Sequence, residues 1–357
     1  MFGTFRTLLS ILVTIGHLFG PVQLGIYAVF GFYILSGFLM TTIMHESYYY
    51  TFEGRKKYLI NRFLRIYPTY WFAILISICI FIFLGDDISS YSTRMYLPNS
   101  FISWIGNILL LFSSNIKPHF STPAWTLTVE LFFYLAICCG ISKSKKITLA
   151  WLTCSLIYTV YLLITEPNHW QARYSPIQAA SLPFSIGSSI YYYQEYLKYF
   201  LEKIYLNKPL LWFAMIILNF RISFFLEKQC NINFLFTFGM YINLIIMVFA
   251  ITSLIDKSFP LTSESLDKKI GSISYSIYLH HLQIGALLYV LYFKNIIGEP
   301  VTYERLMTWG GFMFLISSLV VIILLSFFVV WLIDDRVDIL RKKIKNNQTS
   351  IDISSAQ

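Results

Sequence analysis

The chain has 357 residues, of which 57% are hydrophobic and only 13% are charged. A soluble domain carries about 25% charged residues, so this composition excludes a globular surface exposed to water. Apolar stretches long enough to cross a bilayer recur from one end of the chain to the other. Because a backbone in hydrocarbon must satisfy its own hydrogen bonds, the sequence predicts an all-α fold, a polytopic membrane helix bundle.

Ten apolar runs predict about ten transmembrane helices. In chain order, they cover residues 5–24, 25–46, 67–85, 125–142, 147–164, 176–193, 209–226, 234–255, 271–293 and 305–333. A further stretch, 101–113, is too short to span and is expected to be an interfacial or re-entrant segment. The longest predicted inner loop is 47–66.

The basic residues predict the orientation of these helices. If the amino terminus is cytoplasmic, 20 of the 27 Lys and Arg residues fall on the cytoplasmic side, as the positive-inside rule requires. Both termini are then cytoplasmic. The net charge of +9 is explained by orientation and contact with membrane lipid, so no nucleic acid partner is needed. We expect a membrane domain over 1–335 and a polar cytoplasmic tail over 336–357.

Arg6 and His17 are the first candidate site residues. They are eleven residues apart in the first run, so a helix places them on one face, separated by about 16 Å along its axis. An imidazole inside a bilayer is costly and indicates function, such as general acid–base chemistry. The alternatives are a structural histidine bonded to a neighbouring helix and, for Arg6 alone, a topology anchor.

Glu130 is the second candidate, because it lies a few residues inside the run that begins at Trp125. Its carboxylate is expected in the outer half of the bilayer, near the depth of His17, where it must be paired. Orienting an imidazole is one use of such a group. A structural ion pair or hydrogen bond within the bundle is an equal alternative.

Arg62 and Arg65 lie one helical turn apart at the predicted cytoplasmic surface. Guanidinium pairs suit phosphate, so they could receive a phosphorylated cofactor from the cytoplasm. The alternative is membrane anchoring through lipid headgroups.

Small residues predict two close helix contacts, one at Ser36 and Gly37 and one at Gly271–Ser274. Two adjacent histidines, His280 and His281, follow the second group. Because neighbouring residues of a helix point in different directions, at most one of them should face a cavity.

Five segments together resemble the membrane-bound acyltransferase 3 family over about residues 1–335. The first two are the Arg6/His17 pair and the sequence FYILSGFL at 32–39. The others are RFLRIYP at 62–68, WTLTVE at 125–130 and SYSIYLHH at 274–281. A second acidic residue often follows the fourth motif in the family, but Leu131 occupies that position here.

The resemblance implies transfer of an acyl group, commonly acetyl from acetyl-CoA, to a hydroxyl of an envelope saccharide such as O-antigen or capsule. The acceptor is then a saccharide or lipid-linked saccharide, and the location is a bacterial inner membrane. The implied catalytic residues are His17, Glu130 and Arg6, with His17 as general base or as the carrier of a covalent acyl group. The implied cofactor-binding residues are Arg62, Arg65, Ser36 and Tyr33.

Two other functions stay open at this stage. In a transporter or flippase of lipid-linked saccharide, the same charged residues would form a proton relay or substrate path. In a non-catalytic membrane assembly subunit, the aromatic outer loop 86–124 would contact a partner. The cysteines show no metal-ligand spacing, and we expect no metal.

Overall fold

A computed structural model describes residues 2–20, 22–92, 95–113, 116–117, 120–167, 169–230, 238–298 and 303–346. Every regular element in these ranges is helical. The helices of nine or more residues are α1 (Gly3–Leu18), α2 (Val22–Ile43), α3 (Phe52–Leu84), α4 (Phe101–Leu109), α5 (Trp125–Cys139), α6 (Lys145–Thr165), α7 (Ile177–Lys203), α8 (Pro209–Cys230), α9 (Met240–Leu254), α10 (Glu264–Ser272), α11 (Ser274–Leu288), α12 (Trp309–Val329) and α13 (Asp335–Asn346).

Seven helical stretches within the described ranges are long and apolar enough to cross a membrane. They are Leu24–Tyr48, Phe52–Asp87, Thr122–Cys139, Lys145–Thr165, Pro209–Gln229, Glu264–Ile297 and Trp309–Ile344. The apolar helices α1 and α9 are shorter. The predicted all-α membrane fold is therefore confirmed. Each of the ten predicted runs contains a helix, but the number that cross and the cytoplasmic position of the termini stay predictions.

The exposed and buried faces of α12 have the polarity expected of a membrane helix. Its hydroxyls at Ser318 and Ser326 are fully buried, whereas Leu324 is 65% exposed and Phe328 is 48% exposed. A helix in water would have the opposite distribution. Because hydrocarbon favours apolar side chains and penalises polar ones, the exposed face of α12 suits lipid.

The chain divides into two compact units. The first unit comprises Met1–Gly16, Pro21–Tyr50 and Val129–Gly271, and the second comprises His17–Gly20, Thr51–Thr128 and Ser272–Gln357. The division falls within α1, so that Arg6 belongs to the first unit and His17 to the second.

The first unit is built around a close crossing of α2 and α7. A Cβ atom added to Gly37 would lie 2.2 Å from the carbonyl oxygen of Phe184, and one added to Gly187 would lie 1.9 Å from that of Ile34. Only glycine lets the two backbones approach this closely. The packing role predicted for Gly37 is therefore confirmed.

The amino terminus of α1 is fixed in the same unit by α10. The carboxylate of Asp267, which is 1% exposed, accepts hydrogen bonds from the backbone amides of Gly3 (2.9 Å) and Thr4 (2.8 Å). These amides have no partner within the helix, and a negative charge is favoured at this end. An added Cβ at Gly271 would lie 2.3 Å from the Cα of Gly3, which confirms the predicted close contact there.

In the second unit, α11 packs against α3 and α12, and α13 packs against α3. Residues 47–66 were predicted to form an inner loop. This prediction is wrong for most of the segment, because α3 already begins at Phe52. The hydroxyl oxygen of Thr51 accepts the amide of Gly54 at 3.0 Å, so this residue caps the helix. The helix then continues past Pro68 to Leu84. The residues Arg62 and Arg65 therefore lie on a helix.

The short stretch predicted at 101–113 contains α4, whose nine residues are too few to span a bilayer. Its last carbonyls accept hydrogen bonds from α3: Tyr70 donates to the carbonyl of Asn107 at 2.6 Å, and Trp71 donates to that of Ile108 at 3.0 Å. These bonds replace the intrahelical partners that a helix end lacks. Its interfacial location stays a prediction.

The predicted tail begins inside α13, which is helical to Asn346. Residues 347–357 lie outside the described ranges, and the boundary between 1–335 and 336–357 stays a prediction.

Candidate active site

Two histidines of the second unit form a hydrogen-bonded pair. Nδ1 of His17 lies 2.9 Å from Nε2 of His281. The two ring planes differ by only 13° and their centroids are 5.0 Å apart, as expected when the hydrogen bond runs in the plane of both rings. His17 is half-buried near the end of α1, whereas His281 is fully buried in α11.

The hydrogen bonds of His281 decide which nitrogen of each ring carries the proton. Nδ1 of His281 lies 2.9 Å from the carbonyl oxygen of Tyr278. Because a carbonyl only accepts, this Nδ1 must donate, and Nε2 of the neutral ring is then an acceptor. Nδ1 of His17 must therefore donate to it, and the neutral His17 ring has its lone pair on Nε2. That is the form that a general base or a nucleophile requires.

The backbone around Tyr278 is held by the start of the WTLTVE segment. The hydroxyls of Tyr278 and Thr126 are 2.6 Å apart, so one donates to the other, and their oxygens lie 3.2 and 3.0 Å respectively from the carbonyl oxygen of Pro123, which accepts from the one whose proton is left. The hydroxyl of Ser121 donates to the carbonyl of Leu279 at 3.1 Å. These bonds fix the turn of α11 whose carbonyl orients His281. Thr126 of the fourth motif and Tyr278 of the fifth are thus bonded to each other in the second unit.

His280, the neighbour of His281, has different surroundings. Its ring is also fully buried, its Nδ1 lies 2.8 Å from the carbonyl of Ser276, and its ring edge faces Phe72. Its Nε2 has no hydrogen-bond partner among the described residues. Of the two adjacent histidines, only His281 is bonded to His17.

Glu130 lies in the first unit and is half-buried. Its carboxylate accepts a hydrogen bond from the hydroxyl of Tyr134 at 2.9 Å and a long one from Ser36 at 3.5 Å. Tyr134 and Glu130 are one turn apart on α5, while Ser36 comes from α2. The hydroxyl of Ser36, a predicted cofactor-binding residue, is thus next to a carboxylate. The roles of Glu130 toward His17 and of Ser36 toward a cofactor stay predictions.

Arg6 and Tyr33 also belong to the first unit. Arg6 is half-buried in the first turns of α1. Tyr33 is 1% exposed, and its ring stacks on that of Phe184 with centroids 5.1 Å apart. The catalytic role of Arg6 and the cofactor role of Tyr33 stay predictions.

Arg62 and Arg65 are half-buried on α3, with their guanidinium groups over tyrosine rings. That of Arg62 is 5.8 Å from the centroid of Tyr58, and that of Arg65 is 6.0 Å from the centroid of Tyr275. Tyr275 in turn donates to the carbonyl of Ile66 at 3.0 Å. Rings of this kind hold a guanidinium in place without neutralising its charge. The cofactor-binding role of Arg62 and Arg65 stays a prediction.

Metal chemistry has no support within the described ranges, where no group of three or more His, Cys, Asp or Glu side chains is placed to hold an ion. The expectation of a metal-free site stays a prediction.

The long apolar helices are those of an integral membrane protein. A family model described as an acyltransferase domain matches residues 3–331, so the chain belongs to the acyltransferase 3 family and is a membrane acyltransferase. No curated protein and no solved structure matches the chain. The resemblance seen in the motifs is thus confirmed over nearly the whole length.

Sequence reasoning missed His281 as the partner of His17. Its only signal was the His280–His281 pair, for which one side chain at most was expected to face a cavity. Which of the two does so depends on the rotation of α11 about its axis, and that is set by packing against α3 and α12. The sequence also gave no sign that α13 packs against α3.

Proposed function

We propose that this protein transfers an acetyl group from acetyl-CoA to a hydroxyl of an envelope saccharide, such as O-antigen or capsule, in a bacterial inner membrane. The observation that carries the proposal is the His17–His281 pair. It leaves an intramembrane imidazole with its lone pair on Nε2, and a buried partner holds it in that tautomer. Acyl transfer to an alcohol needs such a base, because a hydroxyl is a weak nucleophile until its proton is removed.

In the proposed reaction, Nε2 of His17 takes the proton of the acceptor hydroxyl while its oxygen bonds to the thioester carbonyl carbon. The carbon–sulfur bond then breaks, and the imidazolium returns the proton to the thiolate, which leaves as CoA thiol. Throughout, Nδ1–H of His17 donates to His281, which stabilises the positive charge as it forms. Glu130 and Arg6 are also proposed as catalytic residues, as the family motifs imply.

The donor is proposed to enter from the cytoplasmic side, with its phosphates on Arg62 and Arg65. The guanidinium groups of these residues lie over the rings of Tyr58 and Tyr275, and guanidinium binds phosphate through paired hydrogen bonds. Ser36 and Tyr33 are also proposed to bind the donor. The acceptor is a saccharide or lipid-linked saccharide, and both termini are proposed to be cytoplasmic.

The experiment compares wild type with His17→Ala in purified membranes supplied with acetyl-CoA, with and without envelope glycan. We expect glycan-dependent release of free CoA from wild type. His17→Ala should lose about 10²–10⁴-fold of the rate, the usual contribution of a general base. Full insertion of the variant, checked by quantifying protein in the membrane fraction, is the control.

The result also separates the enzyme from a flippase of lipid-linked saccharide. Translocation of the saccharide without CoA release would refute acyl transfer, and wild-type turnover by His17→Ala would refute the assignment of the base. Mass spectrometry of envelope glycans with and without the gene would then identify the acetylated hydroxyl.

A further inference from the structure

The WTLTVE segment contains two threonines, and they have different partners in the structure. Thr126 is 5% exposed, and its hydroxyl oxygen lies 2.6 Å from that of Tyr278 and 3.0 Å from the carbonyl oxygen of Pro123. Thr128 is half-buried and donates to the carbonyl of Leu110 at 2.6 Å. Because residues two apart on a helix point in nearly opposite directions, the first threonine is bonded to α11 and the second to the end of α4.

The contact of Thr126 involves the same residue whose backbone orients His281. The carbonyl of Tyr278 accepts from Nδ1 of His281 at 2.9 Å, and the side chain of Tyr278 is only 7% exposed. The next carbonyl of α11, that of Leu279, accepts from the hydroxyl of Ser121 at 3.1 Å. Hydrogen bonds that are shielded from water are stronger and favour one arrangement of their groups. This turn of α11 is therefore fixed by residues at and just before the start of α5.

The position of this carbonyl decides how the two histidines share their protons. While the carbonyl of Tyr278 accepts from Nδ1 of His281, Nε2 of the neutral His281 ring can only accept within the pair. If the carbonyl turned away, His281 could carry its proton on Nε2 and donate to Nδ1 of His17. The neutral His17 ring would then carry its own proton on Nε2, where it could not take one from a hydroxyl.

We propose that Thr126 is a positioning residue. By holding Tyr278, it keeps the histidine pair in the tautomers that leave the lone pair of His17 on Nε2. The inference rests on the proposed function, in which that nitrogen takes the proton of the acceptor hydroxyl. It assigns to Thr126 a role in proton transfer that Thr128, the other threonine of the segment, does not share.

The first measurement is kcat and KM for acetyl transfer to envelope glycan by the full-length protein in membranes. Thr126→Val removes the hydroxyl with little change in size. We expect it to lower kcat about 3- to 10-fold with both KM values unchanged, which is the effect of one neutral hydrogen bond. Thr126→Ser keeps the hydroxyl and should stay within about twofold of wild type. The matched control Thr128→Val loses a bond of the same kind on the same helix and should also stay within about twofold.

The second measurement separates positioning from a general loss of structure. In protein that contains isotope-labelled histidine, solid-state NMR distinguishes a protonated from an unprotonated ring nitrogen. The spectra of His17→Ala and His281→Leu assign the signals of the two rings. We expect Nε2 of His17 to be unprotonated in wild type, Thr126→Ser and Thr128→Val. In Thr126→Val, a second population should carry the proton on that nitrogen.

A wild-type kcat in Thr126→Val would overturn the inference, as would unchanged histidine tautomers in that variant. An equal loss of kcat in Thr128→Val would also overturn it. Failure of the proposed function is a separate outcome. In that case wild type would release no CoA in the presence of glycan, while the spectra would still report whether Thr126 controls the tautomers.

Discussion

The strongest test of the histidine pair is the removal of His281, which is fully buried and is bonded to His17. In His281→Leu, Nδ1 of His17 loses the acceptor now 2.9 Å away. The ring is then free to rotate or to carry its proton on Nε2, where it could no longer accept one. We therefore expect a fall in kcat with little change in KM for either substrate, because the lost interaction is strongest when the imidazolium forms.

The size of the effect follows from the kind of hydrogen bond. In the transition state the donor is a charged imidazolium, and a hydrogen bond to a charged group contributes about 1.5–3 kcal/mol. That range corresponds to roughly 10- to 150-fold in rate. It is smaller than the loss expected for His17→Ala, since the base itself remains. His281→Gln should lose less than His281→Leu, because its amide oxygen can still accept from Nδ1 of His17.

The matched control is His280→Leu. His280 is the adjacent residue, is equally buried and lies on the same helix, but it is bonded to Ser276 and not to His17. Acetyl transfer to the envelope glycan is measured at saturating acetyl-CoA for all variants, after thermal unfolding has shown that they are folded. A wild-type kcat in His281→Leu, or an equal loss in His280→Leu, would refute the role of His281.

Two further predictions concern stability and are measured by thermal unfolding in detergent. Gly37→Ala should lower stability by about 1–3 kcal/mol, since its Cβ would meet the carbonyl oxygen of Phe184, and Gly25→Ala, with an ordinary 3.7 Å contact, serves as control. An unchanged Tm for Gly37→Ala would contradict the close crossing of α2 and α7. Asp267→Ala should lower the free energy of unfolding by about 0.5–2 kcal/mol, because it removes the cap of α1. Glu264→Ala, at an exposed position of the same helix, should leave it unchanged. Equal effects at both acidic positions would show that the cap is unimportant.

The positions of the helices could be predicted from the sequence. Each of the ten apolar runs contains a helix, because runs of apolar residues in a chain with 13% charged residues have no stable place except in a bilayer, where a helix satisfies the backbone. The packing role of Gly37 and of Gly271 was also predictable, since small residues are what allow helix backbones to touch. The family followed from five short motifs in the correct order.

The start of α3 was predicted wrongly because the hydropathy of the segment is dominated by its charged residues. The basic side chains between Phe52 and Ile66 gave it the appearance of a loop. A helix that emerges from the bilayer keeps its hydrogen bonds while its side chains become polar, so composition alone does not mark the helix end. The capping residue Thr51 was the better signal.

The site illustrates what only the tertiary structure could decide. The sequence predicted that His17 is an intramembrane imidazole but gave no basis for choosing between His280 and His281 as its partner, because that choice depends on the rotation of α11 within its unit. The tautomer of His17 was even less predictable from the sequence. It depends on the backbone carbonyl of Tyr278, a group that every residue has, and only the fold directs this one at His281. Patterns of hydropathy determine where helices form, whereas hydrogen bonds between distant segments depend on how those helices pack.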